Sequence, residues 1–419
     1  MRLDLRFFLA TGLLLPNARA QTAFTWQQVK DKFEAANPTL RAAQTSIAES
    51  RAGEITAHLR PNPDVSLSAD GVQVSSNMGI WRPLSGVVVT PGVSYLLERG
   101  NKRNLRYEAA KQTTGVAEST YLDQERGMIF TLRSAFVQTL QAKAVLQNAH
   151  ENLEYWDREL MVNRRRLNAG DIAQVDLNRL ELQRFQFESD LQNATVSLQT
   201  AKIQLRQLLN DSTPIERFDV TGTYDYASQL MPLSQFQDAA VAARPDLLAA
   251  RQNVELARAT HLLAIANGST DPTFSGWYSH NPSFSNPFAN NTIGGSISIP
   301  LRINDRNQGE KARTQLDIGR NESLRDAVLA TVLSDVETAY RTLASTLDLL
   351  RTREAYLKLA ESDRNTMRFS YMSGGASLLD YLDTEKAYRD TRLNFINLVG
   401  SYLTAAAQMN MAVGREVMQ

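Results

Sequence analysis

Residues 170–177 read GDIAQVDL, and residues 374–381, which begin 204 positions later, read GGASLLDY. In both stretches a glycine comes first, and an apolar residue followed by an aspartate comes near the end. Each stretch follows a long segment, residues 104–168 or 309–373, that has no proline and little glycine. Because glycine interrupts helices and permits chain reversal, each stretch predicts a turn between a long helix and a returning helix.

Other landmarks recur in the same order. NPTLRAA at residues 37–43 resembles RPDLLAA at residues 244–250, and GNKR at 100–103 loosely resembles RNQG at 306–309. The offset changes little along the chain, so we predict a tandem duplication of about 205 residues. The predicted organisation is a signal peptide (1–20), a first repeat (21–210), a linker with a small side element (211–232) and a second repeat (233–419).

The N-terminus has the pattern of an exported protein. Arg2 and Arg6 precede a compact apolar stretch at residues 7–15, and Ala18 and Ala20 supply small residues before Gln21. This pattern is typical of a cleaved secretory signal peptide. The apolar stretch is too short for a permanent membrane helix.

Both repeats predict the same order of elements. A helix comes first, then a β-hairpin, then a long helix and its returning partner. The predicted helices cover 25–59, 104–168 and 173–209 in the first repeat and 233–267, 309–373 and 378–411 in the second. The predicted hairpins cover 64–97 and 273–301.

The predicted strands alternate between apolar and small polar residues. Val65, Leu67 and Ala69 alternate with serines, and this period of two indicates a sheet with one apolar and one polar face. In an exported protein such strands could cross an outer membrane, with Trp81 and Trp277 as interfacial anchors rather than ligand contacts. Two ordinary soluble hairpins are the alternative.

Four strands pose a closure problem. They cannot close a wide barrel alone, and open strand edges are not tolerated in lipid. Membranous hairpins therefore require several chains to share one barrel. The long helices, at 1.5 Å per residue, would extend roughly 100 Å from it.

Composition excludes several classes of function. Forty-five basic residues balance forty-five acidic ones, which argues against a nucleic-acid binder. Cysteine is absent, so disulfides and thiolate chemistry are excluded, and the four histidines are scattered. The sequence has no nucleophile–base motif and no metal-ligand spacing, so we expect no catalysis, cofactor or resident metal.

The segment YMSGGASLLDYLD at residues 371–383 resembles the periplasmic-tip motif of the TolC-like family of outer-membrane efflux ducts, a Tyr and a Gly followed by Val-Asp-Val-Leu-Asp. The resemblance covers essentially the whole mature chain. It implies a mainly α fold with a membrane β-barrel part. Long antiparallel coiled-coil hairpins would form an α-barrel tube in the periplasm, and four strands per chain would form a twelve-stranded barrel in a homotrimer. The implied partners are outer-membrane lipid, a periplasmic adaptor (membrane-fusion) protein and an inner-membrane pump.

The resemblance also implies roles for individual residues at the closed inner mouth of the duct. Asp380 and Asp383 would line the narrowest lumen, Tyr371 would take part in the gate, and Asp176 matches a gate-network aspartate. Ala376 stands where some members have a gating arginine, so the closed-state salt bridges are expected to differ.

The tip turns would be formed by Gly170, Gly374 and Gly375. Beside them, Ser377 and Asp380 also fit a helix capping box, and spacing alone favours that role for Asp380. Asp383 lies deeper in the helix and is harder to explain by capping. Asp380 and Asp383 share a helix face, so three copies would place six carboxylates around one axis and attract cations. Tyr371 fits simple packing as well as gating.

The leading hypothesis is a passive exit duct of a tripartite efflux system, gated at the periplasmic helix tips. The alternatives are a type I secretion exit duct for polypeptides and a non-channel periplasmic coiled-coil scaffold with soluble hairpins. An exported hydrolase has little support. Drugs, metal ions and polypeptides are all compatible cargoes, with a slight lean towards small molecules or metals.

Overall fold

The computed structural model describes residues 23–227, 229–281 and 290–418. The predicted signal peptide and part of the second hairpin loop lie outside the described residues. Twelve elements follow one another in the described chain: α1 (Trp26–Ala36), α2 (Pro38–His58), β1 (Asp64–Asp70), β2 (Val88–Leu96), α3 (Lys102–Ala169), α4 (Gln174–Leu208), α5 (Leu233–Ala243), α6 (Pro245–Asn267), β3 (Thr273–His280), β4 (Asn291–Ser298), α7 (Gln308–Met372) and α8 (Leu378–Val413).

These elements form two compact units. The first contains the described parts of 1–37, 129–230 and 343–407, and the second contains those of 38–128, 231–342 and 408–419. Each unit takes residues from both sequence repeats. The first unit holds the turns between the long helices, and the second holds the whole β-sheet.

The four long helices are confirmed. The helices α3 and α7 are 68 and 65 residues long, and their returning partners α4 and α8 are 35 and 36 residues long. Their ends lie within about two residues of the predicted ones, which is the usual uncertainty of helix boundaries. No helix within the described residues is both long and apolar enough to act as a membrane span.

The first helix of each repeat was wrongly predicted as continuous. Residues 25–59 form two helices, α1 and α2, and residues 233–267 form α5 and α6. Asn37 and Arg244, which precede Pro38 and Pro245, both have ψ of 120°. A proline ring clashes with a preceding residue in helical conformation and pushes it to extended backbone, so the helix ends there and a new one begins at the proline.

The strands form one antiparallel sheet in the order β1-β2-β3-β4. The register pairs Val65 with Val93, Val93 with Gly276 and Gly276 with Gly295, so these residues share one face. That apolar face ends at the His280–Asn291 pair and otherwise carries Val65, Leu67, Ala69, Val89, Pro91, Val93, Tyr95, Phe274, Gly276, Tyr278, Ile293, Gly295 and Ile297.

The opposite face of the sheet is rich in serine. It carries Asp64, Ser66, Ser68, Asp70, Val88, Thr90, Gly92, Ser94, Leu96, Thr273, Ser275, Trp277, Ser279, Thr292, Gly294, Ser296 and Ser298. Trp277 lies on this face, and its indole covers Gly294, where an added Cβ would come within 2.5 Å of the ring. The interfacial role of Trp277 stays a prediction, and the register places the residue opposite the apolar face. Trp81 is exposed in the β1–β2 loop.

The apolar face of the sheet is solvent-exposed in the single chain. Val65 is 85% exposed and Ile293 is 88% exposed. In the described part of the chain, β1 and β4 each have a strand on one side only. Exposed apolar area and open edges of this size indicate a surface that contacts another chain or lipid.

Among the described residues of the linker, the predicted side element consists of a single bridge. Val220 pairs in parallel with Phe24, and the Phe218 and Val220 side chains are fully buried. Between them, Asp219 forms ion pairs with Lys143 at 2.9 Å and with Lys202 at 3.1 Å. These contacts anchor the linker to α3 and α4.

Both long hairpins turn through the same backbone motif. Gly170 has φ of +83° and Gly374 has φ of +79°. The Gly170 N–H donates to the Leu167 carbonyl at 2.9 Å, and the Asp171 N–H donates to the Arg166 carbonyl at 2.9 Å. Gly374 and Gly375 repeat these two bonds at the end of α7, which is the Schellman arrangement that satisfies the last helix carbonyls.

We expect Gly374→Ala to weaken the second turn by about 1 kcal/mol, because a side chain disfavours left-handed backbone. An added Cβ at Gly374 meets nothing within 4 Å, so the effect is conformational and not steric. Amide exchange at residues 374 and 375 should become about fivefold faster. Gly319→Ala, inside α7 and equally open, is the control and should not accelerate exchange. Equal amide exchange rates at residues 374 and 375 in the two variants would contradict a requirement for left-handed backbone at Gly374.

Candidate functional site

The ends of the two long hairpins pack around a group of buried side chains, here called the tip cluster. Its core members are Trp156, Leu160, Leu177, Leu180, Phe187, Tyr371, Leu378 and Tyr381. All four long helices contribute to it, so it joins the first hairpin to the second within the first compact unit. The predicted gate residues are in or next to this cluster.

Three aromatic rings stack through the tip cluster. The rings of Tyr371 and Tyr381 are nearly parallel with centroids 5.2 Å apart, and Trp156 lies parallel to Tyr381 at 6.4 Å. The Trp156 indole N–H donates to the Leu180 carbonyl at 2.9 Å. The buried indole therefore keeps a hydrogen-bond partner, and the rings bury much of the apolar area at the tip.

Tyr371 links the two hairpins through its hydroxyl as well as its ring. The hydroxyl donates to Asn163 Oδ1 at 3.0 Å, and the Arg166 guanidinium lies 4.9 Å from the ring centroid. Burial raises the pKa of the Tyr371 phenol, so it stays protonated and keeps donating at neutral pH. Tyr371 therefore packs and also bonds across the hairpins.

The capping box at Ser377 is formed. The Ser377 hydroxyl donates to Asp380 Oδ2 at 2.6 Å, the Ser377 N–H donates to the same oxygen at 3.2 Å, and the Asp380 N–H donates back to Ser377 Oγ at 3.2 Å. These reciprocal bonds satisfy N-terminal donors of α8. Asp380 is exposed, so its second carboxylate oxygen can still face water.

The remaining predicted gate carboxylates lie on different helices. Asp383 is exposed on α8, one turn beyond Asp380. Asp176 is half-buried in the first turn of α4, where its Oδ1 lies 3.9 Å from the Arg179 guanidinium. Ala376, in place of the family's arginine, supplies no charge between the turn and α8. A lumen-lining role for these carboxylates stays a prediction.

Sequence reasoning missed a set of buried charges below the turns. Glu159 on α3 is 2% exposed, and Arg368 on α7 donates to its Oε1 from Nε at 2.8 Å. The hydrogen bond from the Arg368 guanidinium to Glu159 raises the pKa of that guanidinium. The pair crosses from the first hairpin to the second. In the sequence, Glu159 is an ionisable residue at a position where the helical periodicity predicts an apolar one. Periodicity alone treats such a residue as an irregularity.

Glu385 on α8 is the second buried carboxylate of this region. It is 8% exposed, and its Oε2 accepts no hydrogen bond from any described residue. Burial raises the pKa of the Glu385 carboxyl to about 7. A carboxyl that titrates near neutrality inside a packed hairpin interface is unusual for a purely structural residue.

Further polar contacts join the hairpins. The Tyr155 and Tyr381 hydroxyls lie 3.1 Å apart, and burial raises the pKa of Tyr155 to about 12. Arg392 on α8 forms an ion pair with Glu151 on α3. The interface between the hairpins is therefore a mixture of stacked rings and paired charges, not a uniform apolar seam.

Metal and cofactor sites were not expected. Within the described residues, no group of three or more His, Cys, Asp or Glu side chains is arranged to hold a metal ion. The exposed tip carboxylates Asp380 and Asp383 have water-accessible oxygens but no such cluster around them.

The long helical hairpins and the antiparallel sheet with one apolar face are typical of outer-membrane channel proteins with a helical periplasmic part. The export pattern at the N-terminus agrees with this class. The chain belongs to the family described as "Outer membrane efflux protein", which matches residues 13–211 and 238–415. It is therefore an outer-membrane protein of an efflux family, and it is not an enzyme.

Relatives cover nearly the whole chain. "Cobalt-zinc-cadmium resistance protein CzcC" of Cupriavidus metallidurans is 24% identical over 437 residues, covering 99% of this chain and all of the relative. "Outer membrane protein TolC" of Escherichia coli is 22% identical, covering 92% of this chain and 81% of the relative. Among solved structures, CusC matches with a TM-score of 0.78 and 19% identity over 96% of both chains. The open state of the Neisseria gonorrhoeae MtrE channel matches with a TM-score of 0.75 and 17% identity, over 94% and 89%.

We expect Arg368→Met to destabilise the tip by about 2 kcal/mol, because it leaves the buried Glu159 without its cation. The figure is below the usual one for a buried pair because Arg368 is 40% exposed. The thermal unfolding midpoint in detergent should fall by roughly 2–3 °C. Arg341→Met, which breaks the exposed pair with Glu337, is the control and should shift the midpoint by less than about 1 °C. Equal shifts of the midpoint in the two variants would show that the Arg368–Glu159 pair contributes no more stability than an exposed pair.

Proposed function

We propose that three copies of the chain form a passive exit duct of a tripartite efflux system. The observation that carries this proposal is the sheet with its continuous apolar face and its serine-rich opposite face. In a closed barrel the apolar face would contact lipid and the serine-rich face would line water. Three four-stranded sheets give twelve strands, enough to enclose a channel.

The edges of the sheet support association between copies. In the described chain the outer edges of β1 and β4 present unpaired backbone groups. Such groups are costly in lipid unless another strand satisfies them. Pairing β4 of one copy with β1 of the next satisfies every edge at once and leaves no open end, which is the rule for barrels.

The serine-rich face suits passage of diverse solutes. Of its residues only Asp64 and Asp70 carry a formal charge, and both lie at the ends of β1. Hydroxyl groups in the middle of the strands offer weak hydrogen bonds in place of strong binding sites. A conduit without tight binding releases its cargo readily, as conduction requires.

The tip cluster is our candidate for the gate. Tyr371 bonds to Asn163, and Arg368 pairs with Glu159, so each contact holds the second hairpin against the first. Opening would exchange these contacts for another packing of the same helices. Asp380, Asp383 and Asp176 would then stand near the lumen, where carboxylates of three copies concentrate cations.

We extend the proposal to the cargo and partners. The relative that matches this chain over its full length is named for resistance to cobalt, zinc and cadmium. Exposed carboxylates at the tip suit divalent metal cations. A periplasmic adaptor and an inner-membrane pump would supply the energy, because the proposed duct has no energy source of its own.

Strand pairing between copies can be tested by cross-linking, since the chain has no native cysteine. We expect Ser68→Cys/Ser296→Cys, treated with a bismaleimide of about 8 Å, to give a covalent trimer on a denaturing gel. Within one chain β1 and β4 are three strand spacings apart, roughly 14 Å, so the reagent links copies. Ser68→Cys alone is the control and should give no trimer. A monomer band alone would favour the soluble scaffold.

Conduction can be tested in planar bilayers with the Asp383→Asn variant. We expect the wild type to give cation-selective currents, and the variant to lose selectivity by roughly twofold or more, because three lumen charges disappear. The cap at Ser377 does not involve Asp383, so the tip should stay folded.

Asp363→Asn on α7, an equivalent charge change at an exposed site, is the control and should keep wild-type selectivity. If the Asp383→Asn variant conducts with unchanged selectivity, the duct proposal is retained and the proposed carboxylate ring is contradicted. Absence of insertion would favour the scaffold. Release of an unfolded polypeptide, in place of metal ions, in transport assays would favour the type I secretion duct.

A further inference from the structure

Glu385 occupies an unusual position for an acidic residue. It lies on α8, one turn below Tyr381, at the interface where the second hairpin packs against the first. The side chain is nine-tenths buried, and Oε2 finds no hydrogen-bond donor among the described residues. Glutamates are almost never buried without a full set of partners, since an unsatisfied carboxylate strongly disfavours burial.

Charged groups on three helices face this carboxyl. Glu159 on α3 is itself buried and has an unpartnered Oε2, and it disfavours a second negative charge nearby. Arg364 and Arg368 on α7 and Arg389 on α8 act in the opposite direction. The phenols of Tyr155 on α3 and Tyr381 on α8 also face this carboxyl.

The arginines contact other groups, and Arg364 Nε and Arg389 Nη1 have no hydrogen-bond partner among the described residues. Arg364 stacks on the rings of Tyr155 and Tyr388, Arg368 bonds to Glu159, and Arg389 stacks on Phe187. Among the hydrogen bonds of the described residues, none joins these guanidinium groups to Glu385 Oε2. Their attraction is therefore exerted through space, without the hydrogen bonds that a buried carboxylate requires.

The surroundings leave little room for hydration. A cavity of about 10 Å³ next to Glu385 is lined by Trp156, Phe187, Leu382 and Gln183, together with Lys386 and Arg389. This volume holds one water molecule at most. Ionised Glu385 therefore gains little hydration at Oε2 while the hairpins stay packed. The neutral carboxyl needs far less solvation and fits the same site.

We propose that Glu385 is a proton-operated latch between the hairpins: the protonated carboxyl permits close packing, and loss of its proton weakens the packing and favours opening of the tip. The device is separate from the exposed carboxylates Asp380 and Asp383. Its effect on conduction rests on the duct function proposed above, whereas its effect on hairpin packing does not.

The sign of the pH dependence follows from linkage. The packed state holds the Glu385 pKa at about 7, and an opened, hydrated state returns it to its ordinary value of 4.5. The opened state therefore releases the proton more readily, so rising pH favours opening. Two-state linkage between these pKa values shifts the opening equilibrium by roughly 30-fold between pH 5.5 and pH 8.

Hydrogen exchange on the full chain in detergent measures this opening without requiring conduction. Exchange rates at residues 153–163 and 378–388 are divided by the intrinsic rates at each pH, which gives protection factors. We expect wild-type protection at these segments to fall roughly 30-fold from pH 5.5 to pH 8. Glu385→Gln, which imitates the protonated carboxyl, should change less than about threefold over that range.

Two further variants sharpen the test. Glu361→Gln, at an exposed position of α7, should keep the wild-type pH profile. Glu159→Gln removes the neighbouring negative charge, so it should move the midpoint of the profile to lower pH. A flat wild-type profile, or a Glu385→Gln profile as steep as the wild type, would overturn the latch, even if bilayer currents confirm the duct.

Where Glu385→Gln does not fold, the wild-type profile and the Glu159→Gln midpoint decide the question. If the protection factors depend on pH as expected but no bilayer currents appear, the latch proposal is supported and the duct proposal is contradicted. The two proposals therefore fail on different measurements.

Discussion

The β-sheet places a constraint on the rest of the molecule. Most of its apolar residues fall on one face, from Val65 in β1 to Ile297 in β4, and this face is largely exposed within the described chain. Both outer edges carry unsatisfied backbone groups. Under the proposed duct function, lipid covers this surface and strands of other copies cover its edges. Those copies would bring the helical hairpins into a common arrangement in which tip residues act together.

The hairpins depend on local backbone chemistry that the sequence shows clearly. Gly170 and Gly374 end their helices through the same two hydrogen bonds, and the long segments before them have no proline. Such signals act over a few residues, so helix ends could be predicted closely. The proline breaks at Pro38 and Pro245 have an equally local cause, but the apolar periodicity continues across them and hid the interruption.

The tip could be predicted only in part, because its energetics come from contacts between distant segments. The Ser377–Asp380 cap spans three residues and was visible in the sequence. The Arg368–Glu159 pair joins residues 209 positions apart, and the stacking of Tyr371 on Tyr381 depends on how the turn orients α7 and α8. Sequence spacing gives no distance across two hairpins. In the sequence alone, the buried glutamates only interrupt an apolar pattern, and their role becomes clear once the contacts with the partner helix are known.

Two sets of carboxylates at the tip differ in the solvent around them, and this difference separates their roles. Asp380 and Asp383 are exposed, so under the proposed duct function they attract cations without changing the packing of the hairpins. Glu159 and Glu385 are buried, and a change in the charge of Glu385 alters the free energy of the hairpin interface directly. Cation selectivity needs fixed charge along a path, whereas opening needs an interaction that can be switched off. Because each set meets one need and not the other, we expect cation selectivity and the proton dependence of opening to be separable.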